Sequence, residues 1–491
     1  MNNLASRPSH LHERFHEPDA ARRAALACMV TLAVVLGIGR FAFTPLLPLM
    51  LHGGASGRPL LDIQHGGWLA SANYAGYFVG AVTCAALRAE PARMVRIGLA
   101  ATVLLTIAMG ITGQFWVWAI VRFVAGAVSA WTFVFASQWG LRRLAELGAH
   151  AWSGVIYTGP GVGIVGTGLL VSVAGGYGAS VGWIGFGVIG AVLSVLVWPV
   201  FVGTSRAAVA RAGMKGGGAS AGSVPVSGSG SGSGSGSAGA AQPAAGSRAA
   251  ANLAGSQSHS PSDSRLNNQP GNQPGNQPGS QSSIQPSAAP RTSTGPTVHR
   301  ADAFWLVLLY GISGFGYIII ATFLPVIARH ALPGSAWPDL FWPMFGAALI
   351  VGALLGARLP VHWDNRALLA GCYVLQAIGI ALGIVWPTAG GFSLGSILIG
   401  LPFTAITLFA MREARRLRGD DAAGLMGYAT AAYGIGQIAG PLVAAPIAAH
   451  TGSFSPALWL AAGALIVGAA GLVAVARVPR GRARMPDCGC N

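Results

Sequence analysis

The sequence predicts an all-α membrane protein with 12 transmembrane helices in two pseudo-symmetric six-helix halves, and three observations support this. The 491 residues are 53% hydrophobic and only 9% charged, a composition typical of integral membrane proteins. The apolar residues form long blocks, and about 20 residues of helix cross the ~30 Å hydrocarbon core of a bilayer. Twelve blocks of that length occur, and the second six repeat the first six.

The first half is predicted at residues 25–203. Residues 1–24 carry charges of both signs and precede an apolar run that is too long for the core of a signal peptide. We therefore predict a cytoplasmic N-terminal tail followed by an uncleaved first helix. The six apolar runs lie at 25–50, 67–87, 94–113, 115–138, 151–175 and 179–203.

Residues 204–300 are predicted to be a disordered cytoplasmic linker. This segment contains SGSGSGSGSGS, three NQPG repeats and almost no large apolar side chains. Such a composition buries too little apolar surface to offset the entropy lost on ordering. A segment that binds a partner is the alternative.

The second half is predicted at residues 301–477, and residues 478–491 are predicted to be a cytoplasmic tail. Basic residues set the orientation: with a cytoplasmic N-terminus, 26 of the 30 lysines and arginines fall on the inner side. Because they lie in short loops, tails and the linker, the net charge of +16 does not indicate a nucleic-acid partner. The apolar runs lie at 303–328, 340–359, 367–387, 390–411, 422–447 and 456–476.

The two halves share sequence motifs at corresponding helices. GIGRFAF at 37–43 matches GISGFGY at 311–317 in the first and seventh helices. GVGIVGTGLL, which begins at Gly161, matches GIGQIAGPLV, which begins at Gly434, in the fifth and eleventh. These small-residue stripes allow the backbones of neighbouring helices to approach closely.

Several motifs resemble those of the major facilitator superfamily. RFVAG, Arg122 to Gly126, matches the R-x-x-x-G of the fourth helix, and GPGVG, Gly159 to Gly163, resembles the fifth-helix motif associated with antiporters. The opening GIGRFAFTPLLPLM, from Gly37, is similar to the YbfB/YjiJ-like group of bacterial members. The family's loop motif after the second helix is degraded here to AALRAEPAR at 85–93.

This resemblance covers nearly all of the chain except the tails and the linker, and it implies a function. We expect a transporter that moves a small solute by alternating access, is not an enzyme and needs no cofactor or metal. We expect a monomer that crosses the bacterial cytoplasmic membrane many times, with both termini cytoplasmic and the lipid bilayer as its surroundings. In this superfamily the first, fourth, seventh and tenth helices line the central cavity.

Two arginines lie inside predicted spans of this cavity. Arg40 and Arg122 both lie roughly 10 to 15 Å below the outer surface at 1.5 Å of rise per residue. The matching positions of the second half are Gly314 and Ser396, and no acidic residue lies well inside a span. A substrate anion could supply the missing charge. The alternatives are that Arg122 snorkels to the surface, or that helix carbonyls and water satisfy both arginines.

Other residues are candidates for the cavity or for helix packing. Each polar residue could instead form a hydrogen bond between helices, and the Gly-Pro pairs could kink their helices or act as hinges. Trp68 and Trp342 begin their helices and are predicted to be interfacial anchors. The polar candidates are Asn73, Tyr77, Tyr157, Tyr310, Tyr317, Tyr433 and Gln437, and the packing or hinge candidates are Gly159, Pro160, Gly161, Gly163, Gly440 and Pro441.

The leading functional hypothesis is transport of a small organic anion, and the main rival is an efflux antiporter for amphipathic compounds. The Gly-Pro motif favours the rival, whereas the paired arginines count against it. A membrane enzyme is disfavoured because the 11 histidines are scattered singly among tails and loops. A non-transporting receptor of the same fold remains an alternative. The lack of membrane carboxylates argues against proton coupling through one.

Overall fold

All regular elements that the computed structural model describes are helices. The described residues are 9–53, 59–84, 86–87, 89–216, 296–356, 358–360, 362–419 and 422–477. Most of the predicted linker (217–295) and the predicted C-terminal tail (478–491) lie outside these residues, as do residues 1–8 of the N-terminal tail.

Six helical segments form the first half. The first, α1, is helical over Ser9–Leu32, continues as a π-helix over Ala33–Ile38 and resumes over Phe43–His52. The fifth, α5, has a short first part, Ser153–Ile156, and a main part, Gly159–Ala174. The others are α2 (Ile63–Cys84), α3 (Pro91–Ile111), α4 (Phe115–Glu146) and α6 (Ala179–Gly216).

The second half repeats this arrangement, but its helices are broken at other places. Its first helix, α7 (Pro296–Ala331), is continuous, whereas its fourth, α10, is divided into Ala389–Gly400 and Phe403–Arg418. The others are α8 (Pro338–Gly356), α9 (Asn365–Val385), α11 (Ala422–Thr451) and α12 (Ser455–Arg477).

Eleven helices in the described part of the chain are long and apolar enough to cross a membrane. The twelfth segment, α2, is less apolar because it carries Gln64, His65 and Asn73, and it packs between α4 and α11. Twelve segments in two sets of six confirm the predicted fold class. We call the side where α1 begins and α12 ends the terminal side, and the opposite side the loop side.

Several helices extend beyond the predicted apolar runs. Helix α4 continues to Glu146 and α10 to Arg418, so charged turns project beyond the apolar core on the terminal side. Helix α6 continues to Gly216 and α7 begins at Pro296, so both ends of the segment predicted as a linker are helical. Helix α1 likewise starts at Ser9, within the predicted tail.

Glycines let the helices pack closely within and between the halves. A methyl group on Gly37 of α1 would lie 2.3 Å from Gly163 Cα of α5. Between the halves, a methyl group on Gly161 of α5 would lie 2.9 Å from Gly346 O of α8. Helices α2 and α11, and the Phe43–His52 part of α1 with α7, form further contacts between the halves. The small-residue stripes therefore serve close backbone packing.

The break in α1 places Arg40. Gly39 N and Phe41 N donate to carbonyls five residues earlier, Val34 O and Leu36 O, both at 2.9 Å. Residues 39–42 then form turns before the helix resumes. Pro45 contributes because it has no N–H to bond to the carbonyl four residues earlier. Single π-type turns of this kind recur at functional sites.

Candidate functional site

Arg40 lies at the centre of the bundle and is 6% exposed. Its Nη2 donates to Oε1 of Gln437 on α11 at 3.1 Å. Its guanidinium carbon lies 4.0 Å from the ring centroid of Tyr77 and 5.1 Å from that of Tyr74, both on α2. The Nε of Arg40 has no hydrogen-bond partner among the described residues. The cation is therefore held by π faces and one amide.

The contacts of Arg40 are together of the same order as the cost of burying its charge. A charged residue in the membrane interior costs from about 3 to more than 10 kcal/mol. A desolvated cation–π contact contributes roughly 2 kcal/mol, and a hydrogen bond to a charged group about 1.5 to 3 kcal/mol. Neither Arg40 nor Arg122 bonds to a carboxylate in the described part of the chain. An anion near Arg40 would add the opposite charge.

Arg122 stabilises the break in α1. Its Nη1 donates to Gly39 O at 3.2 Å and its Nη2 to Arg40 O at 3.1 Å, and its guanidinium carbon lies 4.8 Å from the ring centroid of Phe43. Those two carbonyls precede the point where regular α-helix resumes. Because Arg122 is 2% exposed and bonds to carbonyls, the snorkelling alternative is wrong for this residue. Arg122 thus positions the segment that carries Arg40.

Tyrosines of α7 and α11 stack beside Gln437. The rings of Tyr310 and Tyr433 are 4.6 Å apart, and those of Tyr317 and Tyr433 are 5.7 Å apart, with interplanar angles of 18° and 16°. Gln437 donates through Nε2 to the Tyr317 hydroxyl. One amide side chain thereby links Arg40 to the tyrosine stack.

Aromatic rings connect this stack back to α1. Phe403 lies 5.2 Å from Tyr317 and 5.9 Å from Phe345, measured between ring centroids. Trp342 stacks on Phe345 at 5.0 Å and lies 6.2 Å from Phe41, the neighbour of Arg40. We call this closed series of contacts the aromatic circuit; its members are Arg40, Phe41, Trp342, Phe345, Phe403, Tyr317 and Gln437.

Hydrogen bonds join the halves at the level of Arg40 and towards the loop side. Tyr74 and Thr322 of α7 share a hydrogen bond of 2.9 Å. Thr44 Oγ1 donates to Ala321 O at 3.2 Å. On α2, Ser71 donates to a backbone carbonyl of α11 at 2.8 Å. On the terminal side, by contrast, the Ser9–Leu32 part of α1 packs on α4, α5 and α6 of its own half.

The predicted polar residues fall into two groups. Tyr77, Tyr310, Tyr317, Tyr433 and Gln437 lie around Arg40 or in the tyrosine stack, as described above. Asn73 instead donates to Arg122 O at 2.8 Å, which ties α2 to α4. Tyr157 lies apart, beside Phe133 at 6.4 Å between ring centroids. The roles of these residues in binding stay predictions.

Tyr74, Trp342 and Phe403 were missed as site residues. The prediction that Trp342 is an interfacial anchor is wrong, since the side chain is 1% exposed and packs between the halves. Helix α8 begins at Pro338, one turn before Trp342, so this residue lies inside the helix and not at its start. Tyr74 lies one helical turn from Tyr77, which is a signal that could have identified it.

A buried charge network on the terminal side was also missed. Arg366 of α9 donates to Asp302 of α7 and to Glu413 of α10, both at 2.7 Å, and to Val475 O of α12 at 3.0 Å. Glu413 is fully buried although it lies near a helix end. This network connects four helices of the second half.

The Gly-Pro residues lie at helix contacts. Pro160 is in the first turn of the main part of α5, where its missing N–H leaves no bond unmade. A methyl group on Gly159 would lie 2.4 Å from Met29 O of α1, and one on Gly440 would lie 2.2 Å from Ile318 of α7. Pro441 lies inside α11. These contacts fit the packing interpretation, and the hinge interpretation stays a prediction.

Comparisons with known proteins agree with this architecture. Two crystal structures of the nucleoside transporter NupG match in fold. One, of a mutant form with a single substitution, has a TM-score of 0.61 at 11% identity and covers 92% of this chain and 99% of its own. The other has a TM-score of 0.55 at 12% identity and covers 94% and 100%. At this identity the match concerns the fold alone.

Sequence comparisons identify the family. The chloramphenicol resistance protein of Streptomyces lividans is 34% identical over 169 residues, which are 31% of this chain and 39% of that protein. The match thus spans about two fifths of that relative. The sequence model of the family described as "Uncharacterised MFS-type transporter YbfB" matches residues 32–224 and 279–473. This chain, a multi-pass membrane protein, belongs to that family of MFS-type transporters.

Proposed function

We propose that this transporter carries a small organic anion by alternating access and that Arg40 is the docking group for the anion. The observation that carries the proposal is the environment of Arg40. Its guanidinium is 6% exposed, it bonds to the neutral amide of Gln437, and it has no carboxylate partner in the described part of the chain. A carboxylate ligand would supply the opposite charge that Arg40 does not contact in the described part of the chain.

The contacts between the halves support a route to the site. The hydrogen bonds from Thr44 and Tyr74 to α7 hold the halves together on the loop side of Arg40. Tyr77, Phe403 and Tyr433 are half-buried. Along their helices, Tyr77 follows Tyr74 and Tyr433 precedes Gln437, in both cases towards the terminal side. In this conformation the anion would reach Arg40 from the terminal side. Exchange to the other side requires that the loop-side bonds break.

The cellular placement follows from the charge distribution and is part of the same proposal. Basic residues concentrate on the terminal side, so we place that side in the cytoplasm of a bacterium and the chain in its cytoplasmic membrane. The proposed transporter works as a monomer and without a cofactor. Uniport, anion exchange and co-transport of a protonated acid are all compatible with the site.

Uptake into proteoliposomes tests the docking role of Arg40. Wild type, Arg40→Ala and Arg40→Lys are compared at matched insertion with a panel of small carboxylates and with neutral and cationic solutes. Arg23→Ala is the matched control, because it removes an exposed guanidinium from the same helix. We expect carboxylate flux in wild type and in the control and its loss in Arg40→Ala. Carboxylate flux that survives in Arg40→Ala would refute the docking role.

An efflux antiporter for amphipathic compounds is the second candidate. Two observations favour it: the Gly159-Pro160 motif, and the likeness to a protein named for chloramphenicol resistance. The same experiment distinguishes the two, because an efflux antiporter would move neutral or cationic amphipathic compounds in wild type and would retain that flux in Arg40→Ala.

A further inference from the structure

The aromatic circuit and its unpartnered donors point to a narrower class of ligand than a small anion. This inference rests on the proposed function, since it concerns the same site around Arg40. Its two components are the hydrogen-bond donors that have no partner and the aromatic surface beside them.

Two buried N–H groups of the circuit have no hydrogen-bond partner among the described residues. They are Nε of Arg40 and Nε1 of Trp342, on side chains that are 6% and 1% exposed. Buried donors are rarely left unpaired, because an unmade bond costs free energy. Both groups are donors without acceptor capacity, so a ligand that satisfied them would need acceptor atoms. A carboxylate has them.

Aromatic faces surround these donors, and they belong to both halves. Trp342 packs between Phe41 of the first half and Phe345 of the second, at 6.2 and 5.0 Å between ring centroids. Phe403 and Tyr433 are half-buried and keep part of their surface accessible. Walls of this kind favour a flat π system, because stacked and edge-to-face pairs add to the gain from apolar burial.

We propose that the site takes a planar aromatic carboxylate. Its carboxylate binds Arg40, and its ring stacks among Tyr77, Phe403 and Tyr433. The indole N–H of Trp342 is a second donor to the same ligand. Trp342 is then a specificity-determining residue. Trp342 contacts Phe41 of the opposite half. A ligand bound to both Arg40 and Trp342 therefore bridges the two halves, as Gln437 does when no ligand is bound.

The test compares two acids that differ in the ring alone. Benzoate and cyclohexanecarboxylate have the same number of ring carbons and are both ionised at pH 7. Binding of radiolabelled benzoate to the purified full-length transporter in nanodiscs is measured, with each unlabelled acid as competitor. We expect benzoate to compete at a concentration at least about tenfold lower than cyclohexanecarboxylate. This comparison needs no variant, so it decides the proposal even if a substituted protein fails to fold.

The chain provides a matched control for the indole. Trp183 of α6 also has a buried, unpartnered Nε1 and is 2% exposed, but it lies outside the circuit. Trp342→Phe and Trp183→Phe therefore make the same chemical change at two places. We expect Trp342→Phe to weaken benzoate binding about tenfold and Trp183→Phe to leave it unchanged.

The outcomes separate this proposal from the one on which it rests. If both acids bind equally and both depend on Arg40, the aromatic proposal is overturned and anion transport stands. If the two tryptophan variants behave alike, the assignment of Trp342 is overturned. If neither acid binds and neutral or cationic compounds do, the proposed function and this inference both fail.

Discussion

Nη2 of Arg40 on α1 lies 3.1 Å from Oε1 of Gln437 on α11, so the buried cation of the first half bonds directly to the second half. The two residues are 397 positions apart in the sequence. In the proposed transport cycle, an anion that also took Nη2 of Arg40 would replace this amide and so weaken the contact between the halves.

Gln437→Glu should abolish anion transport and stabilise the fold. A carboxylate at this position would pair with Arg40, whose charge is buried without an acidic partner in the described part of the chain. We expect a higher unfolding temperature in detergent and loss of carboxylate uptake, whereas Gln437→Asn should reduce uptake only partly. Uptake in Gln437→Glu equal to that of wild type would mean that Arg40 does not dock the substrate.

Arg122→Ala should destabilise the transporter by about 2 to 4 kcal/mol, because it leaves Gly39 O and Arg40 O buried without their donors. Arg122→Lys should recover part of this loss, since an ammonium can bond to one carbonyl but does not span both. Arg142→Ala, an exposed arginine on the same helix, is the control and should be neutral. Thermal unfolding measures all three; equal stability of wild type and Arg122→Ala would contradict the positioning role.

Gly163→Ala should disrupt the contact between α1 and α5. The added methyl would lie 2.5 Å from Gly37 Cα and from Ala33 O, where only a backbone shift makes room. Overpacking of this kind costs about 1 to 3 kcal/mol, and the break in α1 should be disturbed with it. Gly166→Ala, three residues on, meets no atom within 4 Å and should be neutral or slightly stabilising. If Gly163→Ala and Gly166→Ala changed the unfolding temperature by the same amount, close packing at Gly163 would be contradicted.

Glu413→Gln should lower stability by about 3 to 5 kcal/mol, since it breaks a buried ion pair with Arg366. The matched control is Glu146→Gln at the end of α4, whose pair with Arg143 has side chains 35% and 51% exposed. Exposed pairs contribute about 0 to 1 kcal/mol. Denaturant or thermal unfolding should therefore separate the two variants clearly. If the two variants lost nearly the same stability, burial would not make the Glu413 ion pair more important for stability than the exposed pair of Glu146.

The sequence alone determined the membrane architecture and the location of the unusual charge. The number of helices follows from the length of the apolar runs, and the two halves follow from the internal repetition. The intramembrane position of Arg40 stands out because a charge in the membrane interior costs free energy. All three are properties of contiguous segments. Tyr77, Tyr317 and Gln437 could be chosen in advance for a similar reason, because polar side chains in apolar spans tend to face the interior of the bundle.

Only the tertiary structure decided which groups partner each other. Arg122 looks like a second docking group in the sequence, but it bonds to the carbonyls that the break in α1 leaves free. Trp342 looks like an anchor and Glu413 like a residue at a helix end, yet both are buried. The reason is physical. Apolar length and local charge are fixed by neighbours in the chain. A hydrogen-bond partner or a burial state is fixed by residues that are distant in the sequence and meet only when the helices pack.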